Sequence, residues 1–225
     1  MKLGVLFSGG KDSTFATELA NSGQNEVVCL MSIKSENKDS YMFHTPNIDL
    51  TEIQAKSLGL PLIFRKTKGK KEDELIDLRR LIQKAQKEYK IEGVVTGTVE
   101  SVYQASRIQK ICSDLSLWCF NPLWQLNQET LLKQLLKRGY EVIISKIAAY
   151  PLDEKWLGKK LTKSTIEELV ILKEKFGVNP AGEGGEFESL VLNGPNFKRK
   201  IKINKHRLEY EDHAGVFIVE DAELK

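Results

Sequence analysis

Ser8-Gly9-Gly10-Lys11-Asp12-Ser13-Thr14 places in one short run the groups that hold a phosphate. Two adjacent glycines lack the Cβ that forbids sharp turns, so the backbone there can approach a ligand closely. Ser8, Ser13 and Thr14 add hydroxyl donors. The run follows Leu3–Phe7, an apolar stretch of strand length, and opens Asp12–Asn21, which reads as a helix. The first amides of a helix lack intrahelical partners, and the helix dipole puts partial positive charge beside them. A nucleotide phosphate is the natural guest. Asp12 suits Mg²⁺, which takes one or two carboxylates plus phosphate oxygens; it would equally serve as a helix-start carboxylate complementing the dipole. Lys11 either offsets phosphate charge or lies solvated.

The spacing decides the kind of loop. Gly-x-x-x-x-Gly-Lys-Ser/Thr is absent, and so is Gly-x-Gly-x-x-Gly after the first strand. A second candidate is Gly182-Glu183-Gly184-Gly185-Glu186-Phe187-Glu188-Ser189. Carboxylates this close repel one another unless a cation or a function compensates. On that reading, removing one of them leaves stability equal or higher. Phe187 amid the acids suits an organic cation, whereas a solvated acidic hairpin turn leading into Leu190–Leu192 is the plainer alternative. Tyr103, Gln104 and Arg107 fall three or four residues apart and share one helix face. Arg107 there can grip a carboxylate or phosphate bidentately or simply lie exposed.

These residues need a frame, and the first half of the chain supplies one. Leu3–Phe7, Glu26–Ile33, Leu60–Arg65 and Ile91–Thr96 read as strands. They alternate with helices over Asp12–Asn21, Ile48–Leu58 and Glu72–Tyr89, the last with Leu75, Leu78, Ile82, Ala85 and Tyr89 at helical steps. The continuous apolar run of Glu26–Ile33 fits a sheet covered on both faces. Such alternation predicts an α/β fold with a doubly wound parallel sheet. Ligands of such sheets bind beyond the carboxyl ends of the strands, where Ser8, Ser32 to Ser35 and Gly97 would arrive. Ser101–Leu115 continues as a helix, Leu117–Leu123 as a strand and Glu129–Lys137 as a helix. Then the pattern changes: Glu141–Ala149 reads as a strand, Ile166–Phe176 as a helix, and the remainder as strands joined by glycine turns. The expected division is residues 1–125, the nucleotide-binding domain, and 126–225, a smaller α+β domain carrying the Gly-Glu-Gly-Gly-Glu loop.

Composition narrows the functional classes. The chain has 225 residues, 41% of them hydrophobic, and its longest apolar runs are strand-length, so no membrane span is expected. No charged-then-apolar leader follows Met1. Cys29, Cys112 and Cys119 form no C-x-x-C pair, which argues against a zinc site or disulfide framework and for a reducing cytoplasm. Nor does any of them sit in a recognisable glutaminase motif. A net charge of +3 is too even to indicate nucleic-acid binding. Lys198–Lys205 is basic, but alternating Ile201 and Ile203 make it an amphipathic strand. His44, among Phe43, Thr45 and Pro46, reads as a loop-packing residue. Oligomeric state, a homo-oligomer included, is left open.

Ser-Gly-Gly-x-Asp-Ser resembles the pyrophosphate loop of the N-type ATP pyrophosphatases, which split ATP between the α and β phosphates. The chain as a whole resembles the diphthine–ammonia ligase family within that superfamily. The residues that carry the likeness are Ser8–Thr14, Ser40-Tyr41-Met42-Phe43-His44, Gly97–Gln104, Pro122-Leu123-Trp124, Gly182–Ser189 and Asn193-Gly194-Pro195. The resemblance implies ATP and Mg²⁺ as cofactors, free ammonia as nitrogen source, and elongation factor 2 bearing diphthine as acceptor. The implied reaction converts a carboxylate to an amide through an acyl-adenylate, with AMP and pyrophosphate released. It further implies catalytic roles for Lys11, Asp12, Glu183 and Glu186, and adenine recognition by backbone around Met31–Ile33. Tyr103, Gln104, Arg107, Trp124, Glu183, Glu186, Phe187 and Glu188 would receive the trimethylated acceptor. Three other readings stand beside it: a pyrophosphatase adenylating tRNA, one adenylating a small-molecule carboxylate, and a non-catalytic ATP-binding module.

Overall fold

Leu3, Val5, Leu30, Val94 and Val95 are sealed from solvent on adjacent strands, and this apolar layer organises the first half of the chain. The structure is a computed structural model that describes residues 1–36, 47–68 and 73–225. The Ser40–His44 motif and the expectation for His44 lie outside the described residues. The chain divides into two compact units, Met1–Trp124 and Gln125–Lys225.

The first unit holds strands β1 (Lys2–Leu6), β2 (Glu26–Ser35), β3 (Leu62–Thr67), β4 (Gly93–Val95) and β5 (Trp118–Phe120). They form one parallel sheet in the order β3-β2-β1-β4-β5. The chain adds strands in one direction from β1 to β3 and then returns to the other side of β1, so the topological switch point lies between β1 and β4. Connections run through helices α1 (Lys11–Ala20), α2 (Thr51–Leu58), α3 (Asp73–Tyr89) and α4 (Val102–Asp114). Helix α2 is preceded by a short 3₁₀ turn at Ile48–Leu50 and ends at Gly59, whose φ of 70° is the left-handed cap geometry glycine adopts without penalty. Leu78, Leu81, Ile82 and Ala85 of α3 pack with Met31, Ile33 and Ile63 of the sheet. Strand β5 stops at Phe120, short of the expected Leu123, because Pro122 cannot donate to a ladder.

All three cysteines are free thiols. Burial, with the charge of Glu88 behind it, pushes the Cys29 thiol up to about 12, which leaves no nucleophile there at neutral pH.

In the second unit, helix α5 (Gln128–Lys137) and helix α6 (Lys163–Phe176) accompany an antiparallel sheet. Thr162 caps α6 by accepting from the Thr165 amide, so the helix starts three residues before the expected Ile166. The sheet order is β7-β6-β9-β8, with β6 (Glu141–Ala148), β7 (Phe187–Asn193), β8 (Ile201–Glu211) and β9 (Ala214–Leu224). The β8–β9 turn is not made by glycine as expected. Asp212 and His213 occupy it, at φ 44° and 63°. Lys202 and Lys205 of the basic stretch pair with Glu223 and Glu220 of β9 at 3.2 and 2.8 Å.

One charged contact ties α3 to the sheet. Arg65 of β3 donates from Nε and Nη2 to Asp77 Oδ1 at 3.0 and 2.9 Å. Burial alone would raise the Asp77 carboxyl, but hydrogen bonds from Thr67 and Arg65 and the charges of Arg65 and Arg80 outweigh it and hold it below the usual carboxylate range. A carboxyl depressed by folding stabilises the fold above its unfolded pKa, and that contribution is lost as pH falls through the folded value. Asp77→Asn should therefore cost about 1 kcal/mol near neutrality, the pair being partly exposed. The gap in melting temperature between the variant and the parent should close in acid, and a gap independent of pH would show that the ion pair contributes nothing.

Candidate functional site

Each unit carries one set of the residues singled out above. In the first, β1 ends at Leu6 and Ser8–Gly10 turn the chain into α1 beyond the carboxyl ends of the strands. Gly9 has φ 79°, and a Cβ there would stand 2.2 Å from Gln54 Oε1. Gln54, fully buried on α2, donates from Nε2 to the Gly9 carbonyl at 2.9 Å and so fixes the turn. Gly10 is the N-cap of α1 and supplies no side-chain cap. The helix thus begins with its positive end open to a ligand.

Gly97, after β4, explains why this loop is rigid. A Cβ on Gly97 would lie 2.6 Å from the Ser13 amide nitrogen and 2.7 Å from the Asp12 carbonyl carbon. The loops that follow β1 and β4 therefore touch backbone to backbone at the switch point. Behind Gly97, Thr96 Oγ1 lies 2.6 Å from Asn121 Oδ1 and 2.9 Å from Thr98 Oγ1, a buried polar chain that fixes the β4 exit.

The hydroxyls of the loop are engaged within it, those of buried Ser13 and Thr14 and that of exposed Ser8 alike. Ser8 Oγ and Ser13 Oγ are 3.1 Å apart, and the Ser13 and Thr14 hydroxyls donate to the Gly10 carbonyl at 3.2 and 2.8 Å. Backbone amides and helix charge are therefore the groups this loop leaves available to an anion, with the hydroxyls stiffening the turn. Lys11 is buried, not solvated, and its ammonium lies 2.8 Å from Asp12 Oδ2. The other Asp12 oxygen, Oδ1, is sealed from solvent and receives no hydrogen bond among the described residues. A buried carboxylate oxygen left without a donor is costly, so the carboxylate fits a hard, oxygen-seeking cation. Among the described residues no three His, Cys, Asp or Glu side chains converge as a metal cage. A cation here would depend on Asp12 and on phosphate oxygens.

Met31 and Ile33 lie inside β2, which extends to Ser35, and their side chains belong to the core. Only backbone there can meet a ligand. The Met31 carbonyl is taken by the Phe7 amide at 2.8 Å. Ile33, two residues on, directs its backbone to the same edge, past the last β1 partner, Leu6. On α4, Ser101 accepts the Gln104 amide at 3.3 Å and caps the helix. The Arg107 guanidinium lies 3.5 Å from the Tyr103 ring centroid and donates to the Tyr103 carbonyl at 3.4 Å. One face and one nitrogen of Arg107 are thus engaged locally, so a bidentate grip on an acceptor competes with these contacts. Trp124 is 38% exposed at the end of the unit.

The acidic segment of the second unit is more ordered than mutual repulsion implies. Glu186 Oε1 accepts the Asn179 amide at 3.0 Å and Oε2 the Gly184 amide at 2.9 Å. Both oxygens hold the loop together. Glu188 pairs with Lys146 of the adjoining strand at 2.9 Å. Phe187 is buried at 4% exposure, directly across from Ile147, so it is a core residue and not an open aromatic face. The expectation that Phe187 meets an acceptor is corrected on that ground. Glu183 is half-buried in the turn. Gln54 and Lys146 escaped sequence reasoning: a lone Gln on a short helix and a lone Lys on a strand carry no motif, and only the fold supplies their partners.

Glu186 offers two acceptors to two amides, and Gln offers one acceptor and one donor. Glu186→Gln should therefore lower stability by about 1–2 kcal/mol, not raise it as relief of repulsion would. Urea or thermal unfolding reads this directly, and an unchanged or raised midpoint would return the loop to the repulsion account.

Comparison with known proteins covers the chain almost end to end. The diphthamide synthase N-terminal domain model matches residues 1–118, and the diphthamide synthase C-terminal domain model matches residues 127–224. A Bos taurus protein named diphthine–ammonia ligase is 34% identical over 91% of this chain and 83% of its own length. The Homo sapiens protein of that name is 33% identical over the same shares. The Schizosaccharomyces pombe one is 37% identical over 90% of this chain but 36% of its own, longer sequence. Among solved structures, one described as a predicted subunit of tRNA methyltransferase from Methanocaldococcus jannaschii matches with TM-score 0.42 and 19% identity, over 86% of this chain and 97% of that one.

Proposed function

The chain belongs to the diphthine–ammonia ligase family, a family of ligases that form a carbon–nitrogen bond, and from that premise we propose that it amidates the diphthine carboxylate of elongation factor 2 with ammonia, at the expense of ATP. A carboxylate does not react with ammonia at neutral pH, because its carbonyl is unelectrophilic and oxide is a poor leaving group. In the proposed path the carboxylate oxygen attacks the α-phosphorus, the α–β bridge bond breaks, and pyrophosphate leaves with its electron pair. Ammonia then attacks the acyl carbon, AMP departs, and the nitrogen sheds a proton. Nothing is oxidised, and no covalent link to the protein is required. The work left to the protein is positioning and charge stabilisation.

The observation that carries this reading is the uncapped N-terminus of α1 at the switch point, held by the approach of Gly97. Backbone amides of Gly9 to Ser13 would hold the β and γ phosphates that become pyrophosphate. Lys11 would turn from Asp12 to phosphate oxygens. Mg²⁺, bound through Asp12, would supply countercharge to the triphosphate. Backbone at Ile33 would meet the adenine. The free, largely buried cysteines support a reducing, cytoplasmic setting. Among the described residues no helix is long and apolar enough to cross a membrane.

The test is to supply MgATP, ammonium and diphthine-bearing elongation factor 2. Expected are AMP and pyrophosphate, with the acceptor mass shifting from acid to amide; ADP and phosphate would defeat the reading. Asp12→Asn should lower stability, since it removes the carboxylate that pairs with the buried Lys11 ammonium, while acceptor-dependent AMP release per folded molecule falls at least about a hundredfold if Asp12 supports transition-state charge. Its ATP affinity should also lose most of its dependence on Mg²⁺. Equal Mg²⁺ dependence in variant and parent would make Asp12 a structural residue only.

A further inference from the structure

Exposed aromatic rings call for an explanation when they cluster, not when they lie singly. Tyr150 is 63% exposed and Phe176 48% exposed. They are not scattered. The Tyr150 ring meets Phe176 edge to face at 5.5 Å between centroids, and meets His213 at 5.1 Å, again at 90°. Three rings, two of them perpendicular to the shared Tyr150, make a corner. Such walls suit a cation too weakly hydrated to prefer water, above all a quaternary ammonium.

The corner adjoins the Gly182–Glu188 loop within the same unit. The Ala148 amide donates to the Glu186 carbonyl at 2.8 Å, which sets Tyr150 two residues from that loop. Glu186 in turn accepts the amide of Asn179, three residues beyond Phe176. His213 is held in place independently. Its Nδ1 lies 3.2 Å from the Leu152 carbonyl, which can only accept, so Nδ1 carries the hydrogen. It also occupies the hairpin turn at φ 63°, beside Asp212 at 44°. A tight hairpin turn with positive φ at both positions favours Asn and Gly, and Asp and His are among the other side chains that tolerate it. Asp153 and Asp212 flank the corner in sequence, and Lys175 precedes Phe176. Charge alone therefore does not select the ligand; the rings do.

We propose that Tyr150, Phe176 and His213 form a binding site for a quaternary ammonium group. Its physiological identification as the trimethylammonium of the acceptor rests on the function proposed above. The site itself does not.

The test titrates the full chain with tetramethylammonium chloride against sodium chloride at matched ionic strength, following ring-proton shifts of the three residues. Expected is a saturable response to tetramethylammonium, absent for sodium and much weaker for tert-butanol, its neutral analogue in shape. Tyr150→Leu and Phe176→Leu should weaken it about tenfold while Tyr150→Phe retains it. His213→Asn separates site from scaffold: Asn suits the turn, so stability should hold or rise while binding weakens. No saturable shift in the parent chain, an equal response to tert-butanol, or unchanged binding in His213→Asn and Tyr150→Leu would each overturn the proposal. A loss of self-association in Tyr150→Leu, without altered tetramethylammonium binding, would assign the corner to a second copy and also overturn it. With the acceptor protein, Tyr150→Leu should raise the acceptor KM about tenfold and leave kcat and the KM for ATP unchanged. A parent chain that binds tetramethylammonium yet amidates nothing would sink the ligase reading alone. One that amidates normally, with an acceptor KM unmoved by Tyr150→Leu, would sink the acceptor identification alone.

Discussion

The approach of Gly97 to the first turn of α1 is the constraint on which the candidate site of the first unit depends. A parallel sheet sends every strand exit to one edge, and the order β3-β2-β1-β4-β5 makes β1 and β4 neighbours whose connections leave in opposite directions. A cleft opens there, but a cleft alone does not grip phosphate. The grip needs the amides at the start of α1 held still, and here they are held by backbone against backbone, 2.6 Å from where a Cβ on Gly97 would sit. The partly buried Thr96–Asn121 contact steadies one side and Gln54 the other. Fixed dipoles cost no reorganisation when charge arrives, which is why preorganised backbone suits a leaving pyrophosphate better than long mobile cations would.

The second unit solves a different electrostatic problem. Clustered carboxylates are expected to repel, yet here two of them are engaged by donors of the same unit. Glu186 absorbs two backbone amides and Glu188 absorbs Lys146. Hydrogen bonds to an ionised acceptor are about twice as strong as neutral ones, so a glycine-rich loop that would otherwise fray is shaped by its own acid. What such a loop can then offer a ligand is form more than net charge. Exposed rings beside it complete that form.

Much of this was legible from the residues. The alternation of apolar strands and helices specified a parallel sheet, and the glycine spacing specified a tight turn into a helix at its edge. Those signals are local in sequence, and backbone chemistry answers to them directly. The second unit was harder to read. Three acids in a row look identical on paper, and only the fold reveals that Asn179 and Gly184 turn their amides toward one of them. Phe187 fell on the core face because strand alternation, not its acidic neighbours, decides where a ring points. Tyr150, Phe176 and His213 come from a loop, a helix end and a hairpin turn, with no shared spacing to announce them. Convergence from separate elements is the part of a site that a single sequence conceals.

Lys11 and Asp12 give the phosphate loop a further property. Their ion pair is shielded, with Lys11 only 5% exposed in its side chain. Breaking such a pair leaves a buried charge without its counterion, which costs far more than the pair itself contributes. Under the proposed assignment, an arriving triphosphate competes for the Lys11 ammonium and would strand the Asp12 carboxylate. A cation arriving with the triphosphate would take up the carboxylate, so that the two together replace one ion pair by two. Linkage then makes nucleotide and Mg²⁺ bind cooperatively, each raising the affinity of the other by the same factor. Asp12 Oδ1, buried and without a donor among the described residues, biases the exchange in the same direction, because a bound cation would relieve it. Under that assignment the loop would discriminate the metal complex of the nucleotide from the free anion by the cost of half-occupancy.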